Sequence, residues 1–312
     1  TTRRNQEGIA PVLPVLQEIE NVTDKAQWSE VLGKAMDFGL WAMYVDADAM
    51  NSSMNILNEY QAGFALSQKD YYIDQDEHTQ HIRAEYLKHV EKMFTLFGIS
   101  NAAEKAQTVL RLETRLANAA LSNVELRDPV ANYNKMSIEE LQKLVPEVDW
   151  NVYFAGLNIA PDSLSVGQVR HLQEAGKMLN DEPLEDMKTL FTWQVIDGSA
   201  DFLTEEIFMQ NFEFYGRILS GRQEPTPLWK RAVAMVNGTL GEAVGQMYVE
   251  KYFPEENKER MIALVKNLQV ALGERIQALE WMSAETKEKA MEKLNTFTVK
   301  IGYPDKWRDY TA

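Results

Sequence analysis

The chain has 312 residues, of which 45% are hydrophobic, so it can bury a sizeable core without disulfides or structural metals. Its 47 acidic and 32 basic residues give a net charge of −15, which disfavours binding to nucleic acid because such a field repels phosphate. The absence of cysteine excludes disulfides and sulfur-ligated zinc, and no apolar run reaches the roughly 18 residues of a membrane span.

Residues Met43–Asp76 show little helical periodicity and are rich in Gly, Asn, Ser and Asp. A short β-hairpin near residues 43–63, around Ile56–Tyr60, is the only strand structure that we predict. From Glu77 to Phe97, apolar residues recur every three or four positions and Gly98 follows, which predicts an amphipathic helix with a glycine stop.

Helical patterns continue to near the end of the chain. Further helices are predicted over Asn101–Asn123, from the capping box at Ser137, over two aromatic-rich segments joined at an N-cap Thr204, from Pro227 to about Phe253, over Asn257–Met282, and after an N-cap Ser283. No internal repeat or linker-like segment is visible. The pattern therefore predicts an all-α fold in a single domain over residues 1–312.

Histidine residues are few, namely His78, His81, His89 and His171. His81, Glu85 and His89 recur every four positions on one predicted helix and could present two imidazoles and a carboxylate to a metal. Because this stripe flanks the apolar face, we favour a solvated surface, and a metal site stays as the alternative. His171 has no visible partner and is assigned no role.

Sequence motifs of complete catalytic sites are absent. No histidine is followed by Glu, so the HExxH zinc-peptidase signature is missing, as are Gly-x-Ser-x-Gly, the P-loop and Gly-x-Gly-x-x-Gly. Gly241 and Gly245 indicate close helix packing, and Asp46 and Asp48 indicate a turn with self-capping carboxylates rather than a calcium loop, since Met50 occupies a ligand position. No catalytic, cofactor-binding or metal-binding residue is therefore assigned.

Several short stretches nevertheless resemble one protein family in the correct order. The first comprises Asp48, Asn51-Ser52, Asn55, Gln61, Gly63, Leu66 and Lys69-Asp70-Tyr71-Tyr72. The later ones are Tyr133–Ser137, Trp193, Trp229-Lys230-Arg231, Val244–Val249, Trp281-Met282-Ser283 and Ile301–Asp305. Together they resemble the neprilysin and endothelin-converting-enzyme family of zinc metalloendopeptidases. Within that family, the sequence pattern is closest to bacterial oligopeptidase O.

The resemblance implies a large helical domain that faces a smaller, thermolysin-like catalytic domain across a chamber for peptides. In the family, the zinc ligands lie beyond a segment like Tyr303–Ala312. The chain is therefore expected to be the helical N-terminal part of a zinc metalloendopeptidase, truncated before the catalytic domain and inactive alone. Zinc is expected in the parent enzyme only, and the expected partners are peptide substrates and the missing catalytic domain.

Two further expectations follow from the resemblance. The lack of cysteine is closer to the bacterial members than to the disulfide-bonded animal enzymes, so a bacterial periplasmic, envelope or secreted location is expected. Exposed apolar surface is expected where the catalytic domain would pack. A non-catalytic helical binding or scaffold protein that shares the fold is the alternative, and an open reading frame without HExxH downstream would favour it.

Overall fold

Helices dominate the computed structural model, which describes residues 2–35 and 37–311. The chain divides into two compact units, Thr1–Pro225 (the first unit) and Thr226–Ala312 (the second unit). The first unit contains the helices α1 (Thr2–Glu7), α2 (Leu13–Glu20), α3 (Trp28–Lys34), α4 (Asp70–Ile73), α5 (Glu77–Leu96), α6 (Ala102–Ala119), α7 (Ile138–Leu144), α8 (Trp150–Gly156), α9 (Val169–Asp181), α10 (Leu184–Ser199) and α11 (Glu205–Asn211). The mostly helical class predicted from periodicity is confirmed.

The predicted ends of α5 and α7 carry the side-chain caps and the glycine stop that helix termini commonly use. At the start of α5, the Asp76 carboxylate accepts a hydrogen bond from the Thr79 backbone N–H at 3.0 Å, and Gly98 follows the helix with φ of +70°. At the start of α7, Ser137 accepts from the Glu140 N–H at 3.2 Å, and the Glu140 carboxylate accepts from the Ser137 N–H at 2.8 Å. This is the capping box predicted from the sequence.

One small sheet, with strand order β1-β2-β4-β3, lies in the first unit. Its strands are β1 (Trp41–Asp48), β2 (Asn51–Gln61), β3 (Asn134–Ser137) and β4 (Ser163–Val166). β1 and β2 form the predicted hairpin, β4 pairs parallel with β2, and β3 pairs antiparallel with β4. The sheet thus contains two strands, β3 and β4, that were not predicted. Each is four residues long, which is too short to show strand periodicity.

The core of the first unit is rich in aromatic side chains. Trp28 of α3 meets Phe191 of α10 edge to face at 4.8 Å between ring centroids, and Tyr86 of α5 meets Trp193 of α10 at 6.0 Å. Helices α3 and α8 cross so closely that a Cβ at Gly33 would lie 2.3 Å from the carbonyl oxygen of Tyr153. Only glycine fits this crossing.

The second aromatic-rich helix differs from its prediction. Thr204 caps α11 by accepting from the Ile207 N–H at 3.3 Å, as predicted, but α11 ends at Asn211 and a π-helical turn spans Phe212–Ile218. A Cβ at Gly216 would lie 2.3 Å from the Phe212 ring, so the turn is closely packed on itself. π-helical turns are rare and occur frequently at functional sites.

The second unit contains α12 (Leu228–Tyr252), α13 (Glu255–Ala278) and α14 (Ala284–Asn295). Ser283 caps α14 as predicted, by accepting from the Thr286 N–H at 3.2 Å. The packing role predicted for the glycines of α12 is half right. A Cβ at Gly245 would lie 3.3 Å from the Trp307 ring, whereas one at Gly241 would meet no atom within 4 Å.

The second unit buries very little apolar surface. Within its described residues, 226–311, only Gly273 and Leu294 are buried, where α13 and α14 pack together. Large apolar side chains on its helices and loops are exposed, including Met247 at 73%, Leu268 at 60% and Trp281 at 77%. Exposed apolar surface is thus present in the second unit, and its role as the surface on which a catalytic domain packs stays a prediction.

Candidate functional site

The histidine stripe on α5 does not form a metal site. His81 is exposed, the Glu85 carboxylate accepts a hydrogen bond from Lys88 at 2.7 Å, and the His89 side chain is only 1% exposed. A helix turns 100° per residue, so positions i and i+8 differ by about 80° around the axis. The solvated-surface prediction is therefore wrong for His89, and the alternative of a shared metal site on this stripe is wrong as well.

His89 is instead held among aromatic rings. It stacks on Phe214 with 5.0 Å between centroids and an interplanar angle of 13°, and it meets the edge of Trp193 at 5.6 Å. The Gln210 amide nitrogen lies 3.3 Å from His89 Nδ1 and donates to it, which leaves Nε2 as the other ring nitrogen. This Nε2 lies 4.0 Å from Asp197 Oδ1 and has no hydrogen-bond partner.

A zinc ion in a protein needs three or four ligands from His, Cys, Asp or Glu. Across residues 2–35 and 37–311, no group of three or more such side chains is arranged to hold a metal ion. The residues that the structure describes therefore do not fit a zinc site.

His171 serves the backbone at the end of β2. It is fully buried, and its Nε2 donates to the carbonyl oxygen of Ala62 at 2.9 Å. Burial lowers the pKa of His171 to about 4, against the raising effect of that hydrogen bond, so the ring is neutral at pH 7. This placement gives His171 a structural role.

The turn predicted at Asp46 and Asp48 is confirmed for Asp48, whereas Asp46 lies within β1 and pairs with Ile56. The Asp48 Oδ1 accepts from the Met50 N–H at 2.9 Å, which closes the turn of the β1–β2 hairpin. Asp48 also accepts from Tyr133 at 2.7 Å and pairs with Lys135 at 2.8 Å. The bonds from Lys135, Tyr133 and the Met50 N–H, in that order, lower the pKa of Asp48 to about 2.

A buried polar cluster, here called the Glu113 cluster, joins α4, α5, α6 and α10. The Glu113 carboxylate is fully buried and accepts from Tyr86 at 2.8 Å, from Tyr72 at 3.1 Å and from the Ala65 N–H at 3.2 Å. The Trp193 indole donates to the Tyr86 hydroxyl at 2.8 Å. Burial raises the pKa of Glu113 to about 8, although the tyrosine hydrogen bonds oppose the change.

A cavity of about 470 Å³, here called the α10 cavity, lies beside this cluster and is the candidate site of the chain. Helix α10 contributes Trp193, Gln194 and Asp197 to its lining. The Gln194 amide donates to the carbonyl oxygens of Gly39 and Gly63 and accepts from the Gly39 N–H, so it ties both ends of the hairpin to α10. These hydrogen bonds hold the segments that line the cavity against α10.

Sequence reasoning missed both the cluster and the cavity. One signal was available, because Glu113 lies four residues after Val109 and next to Leu112, within the apolar stripe of α6. An acidic residue at such a position needs buried partners. No comparable signal marks Asp197, whose neighbours come from α5 and the π-helical turn.

The comparison with protein families decides what this architecture belongs to. The model of peptidase family M13, in its N-terminal part, matches residues 1–304. The chain belongs to peptidase family M13. The family resemblance to neprilysin and endothelin-converting enzymes is thereby confirmed.

Individual family members agree with this assignment. Endothelin-converting enzyme-like 1 of Mus musculus is 28% identical over 272 residues, which cover 85% of this chain and 35% of that protein. The zinc metalloprotease Zmp1 of Mycobacterium tuberculosis is 34% identical with a TM-score of 0.92, covering 98% of this chain and 47% of that one. PepO from Lactobacillus rhamnosis shares the fold, with 24% identity, a TM-score of 0.84 and coverage of 98% and 49%.

The chain thus spans about a third of the length of its curated relative and about half of the two solved structures. None of the helices in residues 2–35 and 37–311 combines the length and apolar character that crossing a bilayer requires.

Proposed function

We propose that this chain is the helical substrate-chamber part of a zinc-dependent metalloendopeptidase that hydrolyses peptides, and that it is inactive alone. The proposal rests on the match of peptidase family M13 to residues 1–304. The residues that the structure describes do not fit a zinc site, which agrees with it. Metal-assisted hydrolysis needs a bound ion with an open coordination position. We therefore assign the zinc ligands to a catalytic domain that this chain does not supply.

The surface of the second unit supports such a catalytic domain as a partner. Its described residues expose large apolar side chains on α12 and α13, such as Trp229 at 65%, Tyr248 at 60% and Val270 at 62%, and in the segments before and after α14. Soluble proteins rarely leave contiguous apolar surface uncovered unless it meets another protein surface. We propose that residues 1–312 act together as one helical N-terminal region, on which the catalytic domain packs.

Peptides are the substrates that this proposal implies. The net charge of −15 argues against nucleic acid as a partner. The matched family is a peptidase family, and its member Zmp1 is a zinc metalloprotease. In the proposed enzyme, the helical region restricts access to the catalytic domain and supplies apolar and aromatic walls that hold an extended peptide.

We also propose a bacterial extracytoplasmic location for the enzyme, in the periplasm, in the envelope or secreted. The absence of cysteine supports it, as does the similarity to the bacterial proteins Zmp1 and PepO. Fractionation of the source cells with an antibody against this chain tests it. Recovery of the protein in the cytosolic fraction alone would contradict the proposal.

The decisive experiment compares this chain with the product of its complete open reading frame. We expect an HExxH motif downstream of Ala312, and hydrolysis of an internally quenched fluorogenic peptide by the complete protein. A chelator should abolish the activity and added zinc should restore it. The 312-residue chain alone, and a complete protein with Gln in place of the motif Glu, are the inactive controls.

A different outcome would favour a non-catalytic scaffold with the same fold. That outcome is a complete reading frame without HExxH, whose product neither binds zinc nor hydrolyses the peptide.

A further inference from the structure

Strand β1 forms one edge of the sheet, and its outer side is open. The strand order β1-β2-β4-β3 leaves it paired only with β2, within the part of the chain that the structure describes. In an antiparallel pair, the N–H and C=O groups of alternate residues on an edge strand point away from the partner. Ala42 and residues 44–47 are exposed, so another extended chain can reach these groups.

β1 lacks most of the features that protect edge strands from pairing. Such strands are usually short, or they carry Lys, Pro or a bulge. The opposite edge of the sheet follows this rule, because β3 has four residues and carries Lys135. β1 has eight residues, no Lys or Pro, and a bulge only at its turn end. Its exposed run includes Tyr44 at 50% and Val45 at 65%, and Asp46 is its one charged residue. The edge is therefore suited to accept an added strand.

The start of β1 also forms part of the α10 cavity, through residues that include Ala42 and Met43. The cavity volume of about 470 Å³ lies within the roughly 300–1,000 Å³ that is typical of ligand sites. The accessible part of its lining is mainly apolar, since Ala42 is exposed and Phe38, Met43, Phe64 and Leu157 are half-buried. When a peptide adds to a sheet edge, main-chain hydrogen bonds give affinity and side-chain pockets give specificity. Both parts of such a site are adjacent here.

The charge near this edge favours a peptide over a second copy of the chain. Asp46 is exposed on β1, and Asp37 is exposed at the cavity. Among the described residues that line the cavity, none is Lys, Arg or His. Two copies paired through β1 would bring these carboxylates close together, in chains that each carry a net charge of −15. Like charges oppose such pairing, whereas a peptide that carries a basic residue is attracted.

We propose that β1 binds an extended peptide segment as an added strand, with one apolar side chain of the peptide in the α10 cavity. The backbone of residues 42–46 supplies the hydrogen bonds, and Phe38, Met43 and Phe64 contact the apolar side chain. The extended form follows from the open edge, and the apolar preference follows from the accessible lining. That the partner is a peptide rests on the proposed function.

The first test probes main-chain hydrogen bonding. The probe is a fluorescein-labelled heptapeptide of alternating threonine and valine with a central leucine and a terminal lysine. Two further forms carry N-methyl groups on the odd-numbered or on the even-numbered residues. An edge strand bonds only to the N–H groups on one side of the added strand. In fluorescence anisotropy with the 312-residue chain, one methylated form should bind about tenfold more weakly than the parent peptide and the other should match it. Equal affinities of the two methylated forms, or no binding of the parent peptide, would overturn the proposal.

The variant Gly198→Leu tests the role of the cavity. Gly198 lines the cavity and is exposed, and a Cβ there would meet no atom within 4 Å, so leucine can occupy the space without a clash. The variant should weaken the parent peptide by about tenfold and leave a peptide with central alanine unchanged. Gly238→Leu, on α12 and equally free of contacts, is the matched control and should change neither affinity. Equal losses for the two peptides would contradict the role of the cavity.

Hydrogen exchange on the wild-type chain locates the bound peptide. The parent peptide should slow amide exchange at alternate residues of β1 and leave β3, the other edge, unchanged. If a higher concentration of the chain slowed the same amides without peptide, a second copy would be the partner and the proposal would be wrong. None of these results depends on hydrolysis, so failure of the proposed peptidase function would be seen separately, in the assay of the complete protein.

Discussion

Replacing Glu113 by alanine is expected to be among the most destabilising single changes in the first unit. The Glu113 side chain accepts from two buried donors, the hydroxyls of Tyr72 and Tyr86, and from the half-buried Ala65 N–H. Each unpaired buried donor costs about 1–3 kcal/mol, and water entering the vacated space lowers the total. We therefore expect Glu113→Ala to lower the free energy of unfolding by about 3–5 kcal/mol, as for other broken buried networks.

The conservative variant Glu113→Gln separates hydrogen bonding from charge. The amide keeps one acceptor and the shape of the side chain, so we expect a loss of about 1–2 kcal/mol. Burial raises the pKa of Glu113 from 4.5 to about 8, so the folded state binds this proton more tightly than the unfolded state does. The stability that protonation contributes is fully present below about pH 4.5 and is lost as pH rises through about 8.

Because glutamine does not titrate, the stability advantage of wild type over Glu113→Gln should shrink from pH 5 to pH 8 and then reverse, since about 1.4 kcal/mol is lost per pH unit between the unfolded and folded pKa values of Glu113. Urea denaturation at several pH values, followed by tryptophan fluorescence, measures this difference, since Trp193 donates to Tyr86 within the cluster. Glu91→Gln, an exposed position within α5, is the control and should change stability by less than about 0.5 kcal/mol. A wild-type advantage that grows with pH, or an alanine variant as stable as the control, would refute the reasoning.

Two further predictions concern the helix crossing and the hairpin turn. Gly33→Ala should destabilise the first unit by about 1–3 kcal/mol, because the new Cβ would lie 2.3 Å from the Tyr153 carbonyl oxygen. In thermal melts, its control Gly238→Ala, with no atom within 4 Å, should instead add about 0.5–1 kcal/mol, and equal effects would contradict the packing argument. The depressed pKa of Asp48, bonded to Lys135, contributes stability above pH 3.8 that is lost as pH falls towards 2. Asp48→Asn should therefore reduce the acid sensitivity of unfolding measured by circular dichroism between pH 4 and 2, and an unchanged acid transition would count against this role.

Much of the helical architecture could be predicted because its signals are local. The apolar period of α5, its stop at Gly98 and the caps at Ser137, Thr204 and Ser283 each depend on residues within a few positions of one another. The hairpin predicted near residues 43–63 lies at residues 41–61, although much of β1 and β2 is exposed on both faces and shows little alternation. Strands β3 and β4 form by pairing with distant segments, which no local pattern records.

The family could also be recognised from the sequence alone, because short stretches such as Lys69–Tyr72 occur in the order typical of the family. The family match over residues 1–304 agrees. Which individual polar side chains are buried could be seen only in the folded structure. His81 and His89 lie on one helix about 80° apart around its axis, and their exposure differs because α10 and the π-helical turn cover His89 alone. Asp197 acquires its unpaired oxygen in the same way, and the α10 cavity forms between segments as far apart as Leu32 and Gly198. Hydrophobic period and capping are properties of neighbouring residues, whereas a polar site depends on which distant side chains exclude water from it.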